Sequence, residues 1–283
     1  MKRTPWATAA ILLALATTAC TGSGAPAQEP ASSSGAPAAG QAGDDGGVPA
    51  SRLDSVRDAG VLKVCTTGDY RPFTYKDPKT GKYSGLDVDM ARDLAKRLGV
   101  KAEFVDTTWK DLMPDFLASC DIAVGGVSIS LERAQQAAFS TATLDEGKTP
   151  ITRCENVMKY DTIAEINQPG VRSITPIGGT NQKFAEEHYP RGEIIEFKDN
   201  NTIFDQIIDG TADVMTTDAS ETRWVANEHP ELCAVHPDQP FNYSQKAYLL
   251  PRGDTAFKEY VDAWLNIAEH DGTTAKAEKP WFG

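Results

Sequence analysis

From residue 51 onward, apolar stretches of strand length alternate with helical periodicities, and the alternation runs through two complete cycles. The first cycle predicts strands at 61–67, 102–106 and 121–124, with a turn at 77–81. Its helices fall at 87–98, ended by Gly99, at 108–119, capped by Thr107 or Thr108, and at 130–136, capped by Ser130. A second cycle begins after Lys148. It predicts strands at 171–174, 194–197, 212–216 and 232–235, and helices at 181–188, 202–209 and 218–227. An extended stretch at 247–251 and a last helix at 255–269 follow. Strand–helix alternation implies α/β architecture built from parallel βαβ units, and two cycles imply two lobes. Residues 51–149 and 247–283 are expected to form lobe 1, and 150–246 lobe 2. The two crossings, near 149–152 and 241–246, would act as a hinge under a ligand cleft.

The segment before residue 51 is a different material. Lys2 and Arg3 precede a short apolar run at 7–19, the shape of an export signal. Thr17-Thr18-Ala19-Cys20 resembles a lipobox, so residues 1–19 read as a lipoprotein signal peptide and Cys20 as a lipidation site; an ordinary signal peptide cut nearby is the alternative. Gly, Ala, Ser, Pro and Thr fill 24 of the 30 positions from 21 to 50. Such a segment buries too little apolar surface to offset its chain entropy, so 20–50 reads as a lipidated Cys plus flexible tether. The expected location is extracytoplasmic, anchored by lipid to the cell membrane. With 28 Lys+Arg against 40 Asp+Glu, a net charge of -12 and no basic cluster, nucleic acid is excluded as a main partner.

Export places the cysteines in a disulfide-permissive space. With Cys20 acylated, four remain, which allow three pairings. Cys65–Cys120 and Cys154–Cys233 are predicted, because each bond stays within a lobe and leaves the hinge free. No C-x-x-C or H-x-x-x-H spacing occurs, so no metal site is expected.

Nucleotide, hydrolase and zinc-protease motifs are absent. Asp87, Asp89 and Asp93 read as helix-start acids. Four features remain. Gly68–Phe73 forms a turn after the first strand, where Tyr70, with Trp109, could wall a cleft; core packing is the commoner role of either ring alone. Arg133 lies in a first helical turn, a poor place for a structural cation, so a carboxylate ligand held with amides near Ser128 is the functional reading and a solvated surface Arg the bland one. Gly178-Gly179-Thr180-Asn181 lets helix-end amides approach an anion, although a tight turn needs the same glycines. Asp218 and Glu221 fit a helix capping arrangement, or else place two carboxylates at the cleft mouth.

In this order these features resemble the polar amino-acid solute-binding proteins, in which an Arg clamps the ligand carboxylate and an Asp meets its amino group; Arg133 and Asp218 match those positions. GDYRPFTY, SISLERAQQ, GKTPIT, GGTNQKF, DNNTIFDQIIDGTADVMTTDASE, HPELCAVHP and KAYLLPR resemble more closely the cyclohexadienyl dehydratases, enzymes on the same two-lobed fold. That resemblance implies a cofactor-free lyase acting on prephenate or arogenate, with Glu221 as general acid. It places Tyr70, Trp109, Ser128, Arg133, Lys148, Gly179, Thr180, Asn181 and Asp218 around the substrate. Cys154 and Cys233 match cysteines of that family. Pro176-Ile177 stands where the family reads Asn-Pro, and Gln182 where it carries Glu. The alternative is a lipid-anchored receptor that delivers an amino acid to a transporter permease.

Overall fold

The computed structural model describes residues 51–282; the signal segment, Cys20 and the whole tether lie outside the described residues. The first lobe opens with α1 (Arg52–Ala59), β1 (Val61–Thr66) and a small antiparallel sheet of β2 (Asp69–Tyr70), β3 (Thr74–Lys76) and β4 (Tyr83–Ser84). It continues with α2 (Leu86–Leu98), β5 (Lys101–Asp106), α3 (Leu112–Ser119), β6 (Ile122–Ala123), α4 (Leu131–Ala134), β7 (Ala138–Phe139) and β8 (Leu144–Glu146). The second lobe runs through β9 (Lys148–Arg153), α5 (Ile163–Ile166), β10 (Arg172–Pro176), α6 (Gly179–His188) and β11 (Glu193–Phe197). It ends with α7 (Asp205–Ile208), β12 (Val214–Asp218), α8 (Ala219–Glu228) and β13 (Leu232–Ala234). The chain returns through β14 (Ser244–Lys246) and β15 (Leu249–Leu250), and α9 (Thr255–His270) and α10 (Thr273–Phe282) complete lobe 1.

Each lobe is a five-stranded sheet, ordered β5-β1-β6-β15-β7 and β11-β10-β12-β9-β13. The βαβ strands pair in parallel, β1 with β5 and β6, and β10 with β11 and β12. The strands next to the crossings, β15 and β9, run antiparallel to both neighbours. The chain reverses direction each time it changes lobe, so each sheet is mixed. Apolar helix faces cover both sides of the lobe 1 sheet. Leu94, Phe257, Val261 and Trp264 pack on one face, and Leu112 and Phe116 on the other.

The hinge is a two-stranded ribbon in which β8 pairs antiparallel with β14, Glu146 opposite Ser244 and Leu144 opposite Lys246. The first crossing therefore lies at 144–147, ahead of the expected 149–152. Residues 149–152 are inside β9 instead, paired on both edges and buried. A buried strand and an apolar crossover are both short apolar runs, so pattern alone does not separate them.

Two helices are shorter than their periodicity implies. Helix α3 starts at Leu112, because Pro114 has no N–H to donate and fits only the first turn. Thr108 heads a preceding turn, its Oγ1 accepting from Asp111 N–H at 3.1 Å. Helix α7 is one turn long, since residues 199–202 are held in a turn on Asp199, whose carbonyl accepts from Thr202 N–H at 3.1 Å.

Both cysteine pairs are bonded within their lobes. Cys65 joins Cys120 with Cα atoms 5.8 Å apart, and Cys154 joins Cys233 at 4.8 Å. The bonds close loops of 55 and 79 residues. Cys154→Ser with Cys233→Ser is expected to lower unfolding free energy by about 2–5 kcal/mol, read from denaturant unfolding with the midpoint lowered and the m-value, if it changes, raised by the less compact unfolded chain. An unchanged midpoint would show that the bond does not constrain the unfolded chain.

Candidate functional site

The cleft is closed, with about 10 Å³ left between the lobes. Seven of the expected residues line it: Tyr70, Trp109, Ser128, Gly179, Thr180, Asn181 and Asp218, with Pro176 and Lys246 beside them. Tyr70 and Trp109 meet edge to face, ring centres 5.2 Å apart. Gly178 and Gly179 both sit at positive φ, 83° and 75°. A Cβ on Gly178 would come within 2.7 Å of the Lys110 backbone nitrogen, and one on Gly179 within 3.4 Å of Trp109 Cβ. The glycine pair thus lets the start of α6 press against lobe 1.

Asp218 ends β12 and caps no helical amide. Its carboxylate turns into the cleft and collects a partner from each part of the molecule. Lys148 of β9, directly opposite in register, lies 2.9 Å from Oδ1. Lys246 of the hinge strand and Tyr70 Oη of lobe 1 both reach Oδ2. Burial alone would push the Asp218 carboxyl up, but the two ammonium groups outweigh it and hold it well below the usual carboxylate range. Lys148 also donates to Thr180 Oγ1 at 3.0 Å and to Asn181 Oδ1. Lys246 donates to Ser128 Oγ at 2.9 Å and lies 3.5 Å from Glu146 Oε1.

No capping box forms at α8. Glu221 Oε2 accepts from Thr217 Oγ1 at 2.5 Å, and Thr217 in turn accepts from Asn181 Nδ2 at 2.8 Å. The open α8 amide at Ser220 is taken by Glu146 Oε2 at 2.9 Å. The Glu221 side chain is 2% exposed. Burial, with the nearby Asp218 and Asp69 charges, pushes its carboxyl up to about 8 against the opposing Thr217 hydrogen bond. Two carboxyls one helical turn apart are therefore held in opposite states, Asp218 ionised and Glu221 neutral. Glu221 faces a second small space beside the cleft, shared with Asp69, Asn200 and Trp224.

Arg133 is 7% exposed, which removes the surface reading. Ser130 caps its helix by accepting from Arg133 N–H at 3.3 Å. The guanidinium donates once, from Nη1 to the Ser128 carbonyl at 2.8 Å, and makes no ion pair among the described residues. Burial lowers its pKa, so the charge is poorly compensated where it sits.

Three features escaped the sequence. Lys246 and Glu146 enter on the hinge strands, where no motif marks a lone charge; the only hint is a Lys directly before the apolar stretch 247–250. Asp87 does more than face the α2 dipole. Its Oδ2 accepts from the Gly125 and Gly126 amides at 2.9 and 2.7 Å, and Tyr248 Oη donates to Oδ1 at 3.1 Å, which fixes a cleft-wall turn. Gln182 points back at its own helix, its Oε1 accepting from Gly178 N–H at 2.5 Å. That departure from the family pattern falls on a helix cap, whereas Pro176 is in the wall of the cleft.

Two α/β lobes, a two-stranded hinge and a charged cleft define the architecture of a bacterial binding protein. Residues 62–283 match the family of bacterial extracellular solute-binding proteins, family 3, and the chain belongs to that family. Within it, the chain is 53% identical to the cyclohexadienyl dehydratase of Pseudomonas aeruginosa, over 82% of this chain and 86% of that one. The L-cystine-binding protein of Escherichia coli strain K12 is 23% identical over the same shares. Among solved structures, an ancestral amino acid-binding protein described as a precursor of cyclohexadienyl dehydratase superposes with a TM-score of 0.76 at 33% identity, covering 82% of this chain and all of that one. An ancestral cyclohexadienyl dehydratase is 46% identical with a TM-score of 0.52, over 83% and 97%. The family consists of exported proteins, and no helix among the described residues is long and apolar enough to cross a membrane.

A raised Glu pKa makes stability depend on pH. The folded protein keeps the Glu221 proton up to about pH 8, while the unfolded chain releases it near 4.5. Between those values the folded state binds more protons, so the Glu221 contribution to stability is full below pH 4.5 and is lost as pH rises through 8. Glu221→Gln mimics the neutral acid. The unfolding free energy of the native protein minus that of the variant is expected to fall by roughly 4 kcal/mol from pH 4.5 to 8.5. A flat difference would mean that Glu221 is ionised in the fold.

Proposed function

We propose that this chain is a cyclohexadienyl dehydratase that converts prephenate to phenylpyruvate, and arogenate to phenylalanine, with Glu221 as the general acid. The observation that carries this reading is a pair of buried carboxyls one helical turn apart, Asp218 ion-paired with Lys148 and Lys246, and Glu221 hydrogen-bonded among the described residues to the Thr217 hydroxyl alone. A receptor that only binds has no use for a protonated acid at that point. The 53% identity to a curated dehydratase supports the same conclusion.

The substrate ring carries a hydroxyl at one end and a carboxylate, with a side chain, at the other. Glu221 gives its proton to the hydroxyl, which leaves as water when the C–O bond breaks. The C–C bond to the ring carboxylate breaks with its electron pair moving into the ring, and carbon dioxide departs. Aromatisation supplies the driving force. The protein must hold two carboxylates and place one proton. Arg133 supplies a fork for a carboxylate, with the Ser128 region and the amides of 179–181 beside it. Lys148 and Lys246 are paired with Asp218, and Lys246 also with Glu146, so Arg133, which has no ion-pair partner among the described residues, is the cation left for an anion. Asp218 orients the polar end of the substrate and meets the amine of arogenate. Tyr70 and Trp109 pack the ring and exclude water, and no cofactor takes part.

The N-terminal reading extends this proposal. Cys20 carries the lipid, and the tether holds the enzyme outside the cell membrane. Delivery to a permease belongs to the receptor reading only. Purified protein incubated with prephenate or arogenate near pH 7 is expected to form phenylpyruvate or phenylalanine above the spontaneous rate. Glu221→Gln should reduce kcat by about 10²–10⁴ while substrate still binds. In the native enzyme kcat should fall above about pH 8, where Glu221 ionises. Tight calorimetric binding of an amino acid without turnover would replace this function with that of a receptor.

A further inference from the structure

Asp69 and Glu221 belong to different lobes, on β2 and α8. Both line the same space of about 10 Å³, beside the main cleft. Asn200 of lobe 2 fastens that edge by donating from Nδ2 to the Asp69 carbonyl at 2.8 Å. The Asp69 Oδ1 atom is buried and has no hydrogen-bond partner among the described residues. Two carboxyls closed into a water-poor space cannot both ionise without strong repulsion, so at least one proton must accompany closure.

The charges around the pair decide where that proton sits. Asp218 and Lys148 face Glu221 from β12 and β9. Asp199 faces Asp69 from the turn before α7. Arg71 and His229 also reach this space, but the Arg71 guanidinium is stacked 3.7 Å from the Tyr75 ring centre. Burial, with Asp199, pushes Asp69 up to about 6. Glu221 stands higher, at about 8, so the single proton of the pair belongs to Glu221.

We propose that Asp69 is a positioning residue that comes against Glu221 only when the lobes shut, and that its negative charge keeps the catalytic acid protonated in the closed enzyme. Closure then does two things at once, excluding water from the cleft and securing the proton that the leaving hydroxyl takes. The inference rests on the dehydratase reading. It adds that acid strength is set across the lobe interface instead of within α8 alone.

The test is the pH profile of the full-length enzyme with prephenate or arogenate. The kcat profile reports the closed complex, and kcat/KM reports the free enzyme. Asp69→Asn is expected to move the alkaline limb of kcat down by about one pH unit, which makes kcat about tenfold lower at pH 8.5, with a smaller shift in kcat/KM. Asp69→Glu, which keeps the charge, should restore the limb. A merely structural defect would lower kcat at every pH and leave the limb in place, and that result would overturn the proposal. Asp69→Ser is read the same way if Asp69→Asn does not fold. A second measurement needs no turnover. With carboxyl carbons labelled with ¹³C and the Glu221 signal assigned by its loss in Glu221→Gln, the Glu221 midpoint with phenylpyruvate bound should be lower in the Asp69 variant than in the native protein. Equal midpoints would overturn the pairing. If the native enzyme turns over neither substrate, the proposed function falls, while the titration still decides the pair.

Discussion

The Asp218 carboxylate is the point on which the closed molecule turns. Lys148 belongs to lobe 2, Lys246 to the hinge and Tyr70 to lobe 1, and all three meet on its two oxygens. Each partner alone would be a costly buried polar group. Together they compensate one another, which is why a carboxylate can remain ionised at 1% exposure. The same contact explains the hinge sequence. Lys246 and Glu146 sit on the two strands of the ribbon, so any bend of the hinge moves the ammonium that binds Asp218 and the carboxyl beside it.

That clamp also sets the character of its neighbour. Burial first, and then an ionised Asp218 one helical turn away, makes a second negative charge unfavourable, and among the described residues Glu221 has no ion-pair partner to offset them. Its one hydrogen bond comes from Thr217, a neutral donor. The site thus assigns roles by supply of positive charge. The carboxyl that receives two lysines is the fixed anion, and the one that receives none keeps its proton. Nothing in the residue types Asp and Glu dictates that division.

Local signals reached much of the fold. Helix α2 was legible because its apolar stripe ends in Gly99, which takes a left-handed C-cap that favours glycine. The cysteine pairs were legible because each bond spans one lobe. The second crossing was legible too, but the first was not, since β9 is buried on every residue from Lys148 to Thr152 and carries no alternation to mark it as a strand. In the site, Arg133 was visible as a cation at the wrong end of a helix. Lys246 and Asp69 were not, because their meaning depends on elements more than a hundred residues away in sequence: Ser128 for one, and Asn200 and Glu221 for the other. Asp87 looked like a dipole acid, and its second task, holding two glycine amides, needs the tertiary fold to be seen.

A net charge of -12 repels an anionic substrate at long range. Field at a buried site, however, is set by groups within a few ångströms, and surface charge is screened over about a Debye length. Around the cleft, the three cations Lys148, Lys246 and Arg133 outnumber the two carboxylates paired with the lysines, Asp218 and Glu146. An acidic exterior and a cationic interior can therefore coexist in one molecule. The interior is cationic only where lobe 1, lobe 2 and the hinge come together. A binding fold gains chemistry under that condition: closure assembles the positive charge that holds an anion, and it buries one carboxyl without an ion-pair partner and hence with a proton to give.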